Sequence, residues 1–234
     1  MSDTALASLS VAPQKSATDL VFDTLYQAVI SLQLPPGTRV SEAEVAQQLN
    51  VSRQPVRDAF FRLSKLGFLL IRPQRATQIT RISRKAVLDA AFIRTAIESE
   101  CLREAVRRMT PEAATQLHES LAAQQEALTT DDPTRFHALD DGFHQTLARI
   151  AGHSHAWDLI SEQKAHMDRV RYLTLSSARQ LTVYQEHKRM VEALIAQDVV
   201  AAEAQLRAHL GDIANVLERV RAEHPDHFDD SARG

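Results

Sequence analysis

Residues 40–63 read VSEAEVAQQLNVSRQPVRDAFFRL, and this stretch decides the first half of the fold. Ser41 followed three residues later by Glu44 has the form of a capping box, so a short helix is expected to begin there. Val45, Ala46 and Leu49 give it an apolar side, and Asn50, tolerant of left-handed backbone angles, ends it. Ser52 is placed to cap a second helix, with Pro55 in the first turn, where a missing N–H costs little. Val56, Ala59, Phe60 and Leu63 recur at three and four residues and form that helix's buried face. Arg53, Gln54 and Arg57 are left at its N-terminal end. Two short helices joined by a tight turn, the second opening on arginines, have the layout of a helix-turn-helix, which presents N-terminal side chains to base edges. The planar guanidinium matches guanine O6 and N7, and a helix N-terminus favours a phosphate. An ordinary helical hairpin with surface arginines fits the same spacing.

The flanking residues extend this reading. A preceding helix is capped by Thr18 or Asp19, turns Leu20, Val21, Leu25, Ala28, Val29 and Leu32 inward, and breaks at Leu34-Pro35-Pro36-Gly37. Gly67 ends the second motif helix. Phe68–Ile71 and Gln78–Ile82 then read as two short strands joined by a basic wing, RPQRAT, in which Arg72 and Arg75 are placed for phosphate or minor-groove contact. The chain as a whole carries a net charge of -3, which by itself does not suggest nucleic acid. Its distribution does: Ser52 to Lys85 holds nine basic residues against Asp58 alone, a local +8 that leaves -11 on the remainder.

The segment from about Leu20 to Ile82 resembles the winged helix-turn-helix of the GntR family of bacterial transcription regulators, through LPPGTRVSEAEVAQQLNVSRQPVRDAFFRLSKLGFLLI. The resemblance rests on Pro36-Gly37, Ser41-Glu42, Val51-Ser52-Arg53, Pro55-Val56-Arg57 and Leu63 through Gly67. It implies that Ser52, Arg53, Gln54, Pro55 and Arg57, with Arg72 and Arg75 of the wing, face double-stranded operator DNA. Two positions depart from the family pattern: Ala76 stands about where the wing turn has glycine, and Ala43 where some relatives carry a basic contact residue.

At 234 residues the chain has room for one large or two ordinary domains, and with 44% hydrophobic residues and only 6 glycines it reads as helix-rich. One cysteine, Cys101, excludes an internal disulfide framework and reads as a small core residue in a cytoplasmic protein. No run approaches the roughly 20 apolar residues of a membrane span. Residues 1–17 lack the basic start and apolar core of a signal peptide and read as a disordered arm. The expected architecture is mainly α: this arm, a winged helix-turn-helix with a small β-wing over 18–82, an all-α antiparallel six-helix bundle over 83–224, and a flexible tail over 225–234. The six helices are placed at about 83–109, 111–129, 133–151, 155–177, 181–197 and 199–222, between breaks such as Thr110-Pro111, Gly152-His153-Ser154 and Asp198.

Asp140 and His144 stand four apart in LDDGFH, on one helical face. His187, in YQEHKRM, and His209, in LRAHLGD, lie on later helices. If the bundle joins them, one carboxylate and three imidazoles suit a borderline divalent ion such as zinc, at roughly 2.0–2.1 Å, with positions left open. Surface or hydrogen-bonded histidines fit the same spacing in a chain with 10 of them.

This half resembles the FCD effector domain of the FadR branch of GntR regulators, in its shorter VanR-type form. There an Asp-x-x-x-His and two later histidines bind a metal inside the bundle, and Asp140, His144, His187 and His209 match that pattern. The resemblance implies a divalent metal, zinc first with nickel or manganese as alternatives. His137, His153, His155 and His166 match no ligand position and read as surface residues. A metal with spare positions can dock a small organic acid. Arg94 resembles the family arginine that faces this pocket, Arg171 is a second anion partner, and Asn215 is a polar contact on the last helix. Trp157 and Tyr172 read as packing residues.

The chain therefore reads as a homodimeric, ligand-responsive transcription regulator, a repressor rather than an activator, with no membrane partner and no enzymatic activity. Three rivals share the same residues: a metal sensor in which the ion is the signal, a DNA-tethered metalloenzyme, and a bundle that the metal merely staples. Asp141 and Glu186 adjoin metal ligands, but helical neighbours point about 100° away, so neither offers an evident general base.

Overall fold

The protein was described from a computed structural model covering residues 15–72, 76–174 and 176–229. Arg75 and most of the N-terminal arm fall outside the described residues. The chain divides into two compact units, one built on residues 38–80 with the first helix up to Val29, the other on residues 30–37 and everything from Arg81 onward.

In the first unit α1 (Ala17–Ile30) starts one turn earlier than the sequence suggests. Ser16 and Asp19 cap it reciprocally: Ser16 Oγ accepts from the Asp19 N–H at 3.1 Å, and Asp19 accepts from the Ser16 N–H at 3.3 Å. Val21, Leu25 and Val29 are buried, whereas Leu20 is 55% exposed and leaves the expected apolar face. A two-residue strand β1 (Arg39–Val40) leads into α2 (Glu42–Gln48), where Ser41 Oγ accepts from the Glu44 N–H at 3.1 Å. Asn50 takes the left-handed conformation, with φ of 52°, that turns the chain into α3 (Arg53–Lys65). Ser52 occupies the N-cap position of α3 but makes no side-chain cap bond, which leaves its hydroxyl at an open helix terminus. Val56, Ala59, Phe60 and Leu63 are all buried, as their spacing requires.

The wing is smaller than the sequence suggests and has an extra strand. β2 (Leu69–Leu70) and β3 (Thr77–Ile79) pair antiparallel, and β1 joins the other edge of β3, giving the order β1-β3-β2. A two-residue strand carries no periodicity to detect, so β1 had no sequence signal.

The second unit is all α. Its elements are α4 (Arg84–Arg107), α5 (Pro111–Thr129), α6 (Pro133–Ile150), α7 (Ser154–Tyr172), α8 (Ser177–Ile195), α9 (Val199–Gly211) and α10 (Ile213–Glu223). Ser83, Thr110, Asp132, Ser176 and Asp198 each cap the following helix through a side-chain oxygen. At the end of α6, Gly152 takes φ of +78°, with the Arg108 guanidinium against the place a Cβ would fill. The expected last helix is two, interrupted at Asp212, whose carboxylate pairs with Arg179 at 2.9 Å. Helix α4 packs on α7 and α9, and α5 on α6 and α8, so that α4 to α9 share one core built on Leu102, Leu117, Phe143, Ile160, Met190 and Leu206. Cys101 and Trp157 are buried in the same core.

The stretch after α10 departs from the expected flexible tail. Pro225–His227 forms a 3₁₀ turn, and Phe228 is 1% exposed, packed with Ile82, Val87, Val216 and Val220. Ile82 donates to the His227 carbonyl at 2.8 Å and accepts from the Asp229 N–H at 3.0 Å, a short parallel bridge. An apolar ring seated in a core offsets the entropy of holding the chain end, which its polar neighbours conceal in the sequence.

Candidate functional site

Three helices of the second unit converge on a buried polar centre. Asp140 and His144 come from α6, His187 from α8 and His209 from the end of α9, all four buried, with one potential ligand atom from each lying within 4.8 Å of the others. Each imidazole has an acceptor oxygen beside Nδ1. Gln124 Oε1 lies 2.9 Å from His187 Nδ1, Glu186 Oε2 lies 2.7 Å from His209 Nδ1, and Glu98 Oε2 lies 2.5 Å from His144 Nδ1. For His187 and His209 these partners place the proton on Nδ1 and leave an Nε2 lone pair on the inner side of the ring, whereas the Glu98 contact with His144 lacks hydrogen-bond geometry.

The inner atoms are then left to one another. His144 Nε2 and His209 Nε2 are 3.3 Å apart, and His187 Nε2 and Asp140 Oδ1, separated by 3.5 Å, have no hydrogen-bond partner. Acceptors facing acceptors in a buried site are unfavourable without a proton or a cation between them. A tetrahedron with bonds of about 2.0–2.1 Å has edges of roughly 3.3–3.4 Å, close to both separations. Burial pushes the His187 imidazole well below its ordinary pKa and lowers that of His209, so both are neutral ligands. Burial would raise the Asp140 carboxyl, but Arg171 and the imidazoles hold it well below the usual range. The donor set therefore fits a divalent ion: three imidazole nitrogens, one ionised carboxylate and an oriented outer shell.

Beside this centre lies a cavity of about 60 Å³, lined by Arg94, Arg171, Gln180 and His209 on its polar side and by residues such as Phe136 and Ile213 on its apolar side. Arg94, 2% exposed, donates through Nε to Glu98 at 2.5 Å, and its Nη2 has no hydrogen-bond partner. Burial acts against the Glu98 carboxyl, but Arg94 and His144 hold its pKa down to about 2. Arg171 donates to Asp140 Oδ2, and its Nη1 lies 3.8 Å from Asp168 and 4.0 Å from Asp141, beyond hydrogen-bond reach. Thus Arg171 both braces a centre carboxylate and faces the cavity.

Asn215 does not join them. It is exposed on α10, while Ile213 and Val216 turn toward the cavity, as the helical period dictates. His137 is likewise corrected: it is not a surface residue but is 8% exposed, edge-on to Tyr172 at 5.0 Å and 3.8 Å from Asp168, with burial lowering its pKa. His153 and His155 are exposed. Sequence reasoning missed Glu98, Gln124 and Gln180. Their one signal is an amide or carboxylate at a buried phase of an amphipathic helix, which is weak evidence alone.

In the first unit Ser52, Arg53, Gln54 and Arg57 are exposed at the start of α3, with Pro55 half-buried beside them. Gln54 donates to Asp58 at 2.9 Å, and Arg57 is paired with Glu42 at 3.3 Å. Arg62 is turned away, paired with Asp19 at 2.8 Å and lying over the Phe22 ring at 3.8 Å. Arg72 of the wing is exposed and shares a shallow hollow with Arg39 of β1.

A winged helix-turn-helix joined to an all-α bundle defines a DNA-binding transcription regulator rather than an enzyme. Comparison with known proteins gives the family. The pattern of bacterial regulatory proteins of the gntR family matches residues 17–79, and that of the FCD domain matches residues 89–212. The chain belongs to the GntR family, with an FCD domain following its DNA-binding region. It is 36% identical over 217 residues to the HTH-type transcriptional repressor RspR of Escherichia coli strain K12, covering 92% of this chain and 95% of that protein. It is 32% identical over 209 residues to an HTH-type transcriptional regulator from an unstable DNA locus of Streptomyces ambofaciens, covering 89% and 88%. Among solved structures, E. coli McbR/YncC superposes with a TM-score of 0.74 at 22% identity, over 88% of this chain and all of that one, a likeness of fold. No helix among the described residues is long and apolar enough to cross a membrane.

Proposed function

We propose that this regulator is a homodimeric, cytoplasmic repressor whose residues 18–82 bind a pseudo-palindromic operator and whose residues 83–224 bind a divalent metal and a small carboxylate that together set operator affinity. Ser52, Arg53, Gln54, Pro55 and Arg57 face the major groove, and Arg72 and Arg75 of the wing face the backbone or minor groove. Asp140, His144, His187 and His209 hold the metal, with zinc favoured by the nitrogen-rich set and by inner separations of 3.3 and 3.5 Å. When bound, the ion supplies open coordination positions for an oxygen ligand. Arg94 and Arg171 neutralise the carboxylate in the adjoining cavity. Asn215, being exposed, is not assigned to this site.

One observation carries this reading. His187 and His209 have their Nδ1 atoms hydrogen-bonded, and the inner atoms of all three imidazoles converge directly beside a cavity lined by buried Arg94 and part-buried Arg171, each with an N–H group left without a partner. A purely stapling metal needs no such cavity, and the cavity favours an effector over metal sensing alone. By linkage, the ligand changes operator affinity only as far as it prefers one arrangement of the protein over another.

Elemental analysis of the purified protein beside His187→Ala, followed by thermal-shift screening of the metal-loaded form against small carboxylic acids and an operator-release assay, tests the proposal. About one transition metal per chain, lost in the variant, with acids that raise Tm and release operator, is the expected outcome. Operator release that tracks metal alone would replace the effector by the ion as the signal. Metal-free protein that binds acids would move the site away from the histidines.

A further inference from the structure

Gln180 has no role in the site described above. It lies on α8 seven residues before His187, two turns away on the same helical face, with an axial rise of about 10 Å between them. It is 3% exposed, and neither its Oε1 nor its Nε2 has a hydrogen-bond partner. The side chain lines the same cavity as Arg94, Arg171 and His209. A buried amide with both ends unmatched is costly in a folded protein, so its complement is expected to come from whatever fills the cavity.

The chemistry of that complement is restricted. The arginines lining the cavity, Arg94, Arg171 and Arg179, offer only donors, and a carboxylate satisfies donors. A carboxylate cannot satisfy Gln180 Oε1, which needs a donor, while Nε2 needs an acceptor. An ammonium group supplies only the first and is repelled by three guanidiniums. A hydroxyl supplies both from one atom, which suits a small cavity. The two-turn offset from His187 separates this hydroxyl from a carboxylate held at the metal end.

We infer that Gln180 is a specificity-determining residue that reads a hydroxyl at the far end of a short carboxylic acid, so that the effector is a hydroxy acid and not the unsubstituted acid of the same length. This rests on the carboxylate-effector reading above. Gln180→Leu removes both hydrogen-bonding ends at nearly constant volume and leaves the arginines and the metal ligands in place.

The test is isothermal titration of zinc-loaded, full-length protein with three matched pairs: butanoate and 4-hydroxybutanoate, pentanoate and 5-hydroxypentanoate, hexanoate and 6-hydroxyhexanoate. The expected result is a preference for the hydroxylated member of at least one pair of about tenfold or more, collapsing toward unity in Gln180→Leu while affinity for the plain acid is kept. Zinc content and Tm verify that the variant is folded, and Gln180→Met replaces it if it is not. No preference in the wild type, or a preference that survives in the variant, overturns the inference and leaves the carboxylate reading intact. Failure of the wild type to bind any of the six acids overturns both.

Discussion

Glu186 adjoins His187 in the chain, yet its carboxylate accepts a hydrogen bond from Nδ1 of His209, 2.7 Å away on α9. The covalent neighbour of one histidine of the cluster thus orients another, because consecutive helical residues diverge by about 100° while α8 lies against α9. His187 receives its own orienting contact from Gln124 on α5. Outer-shell partners of this kind fix the ring and raise its basicity, and their loss typically weakens metal binding about 10- to 100-fold. Glu186→Ala is therefore expected to lower zinc affinity by that order, and Glu186→Gln, which keeps an acceptor oxygen, by less. Competition with a chromophoric chelator measures both; identical affinities in all three proteins would show that the contact does not orient His209.

Removing an inner ligand should act more strongly. His144→Ala, His187→Ala and His209→Ala are each expected to abolish stoichiometric zinc and the rise in Tm on zinc addition, while binding of the metal-free chain to operator DNA persists. Elemental analysis and thermal shift read the first effect, and a mobility-shift assay the second. If His209→Ala keeps its zinc and its Tm, the four-residue centre is wrong.

The two arginines at the start of α3 should not be equivalent. Arg57 is already engaged by Glu42, whereas Arg53 stands exposed without an ion pair among the described residues. Arg53→Ala is expected to weaken operator binding roughly tenfold or more and relax base preference, as loss of a bidentate base contact does. Arg57→Ala should cost less, since the wild-type side chain must leave Glu42 to reach DNA. Equilibrium binding on operator and scrambled duplexes at fixed salt separates these outcomes, and zinc content should stay unchanged in both variants.

Phe228 gives a prediction about stability. Its ring is buried among Ile82, Val87, Val216 and Val220. Phe228→Ala should destabilise the second unit by about 3–5 kcal/mol, the usual cost of emptying a phenylalanine site in a core. A urea titration followed by circular dichroism measures it, and an unchanged midpoint would mean that the stretch after α10 is not docked in solution.

Much of this was legible in the chain. The spacing of Val56, Ala59, Phe60 and Leu63 sets the buried face of α3, and the punctuation at Thr110-Pro111, Gly152 and Asp198 marks helix ends in the bundle. Local signals of this sort are carried by residues a few positions apart, where backbone geometry alone decides which side chains share a face. The pairing of Asp140 with His144 is of this kind. Sequence reasoning erred where a distant segment supplies the partner. His137 is buried because Asp168 and Tyr172 of α7 meet it, and Phe228 docks because Ile82, far away in the chain, presents an open backbone edge.

By itself, the sequence determined the family, the helical content, the helix-turn-helix and the identity of the four possible metal ligands, because motif and period are local properties. Only the tertiary structure decided that the inner atoms of Asp140, His144, His187 and His209 meet, that Glu98, Gln124 and Glu186 each stand beside one of the three imidazoles, and that Gln180 turns an unmatched amide into the cavity. The physical reason is that these contacts join residues on five different helices. Their distances follow from how the helix faces pack, and no spacing along one helix encodes them.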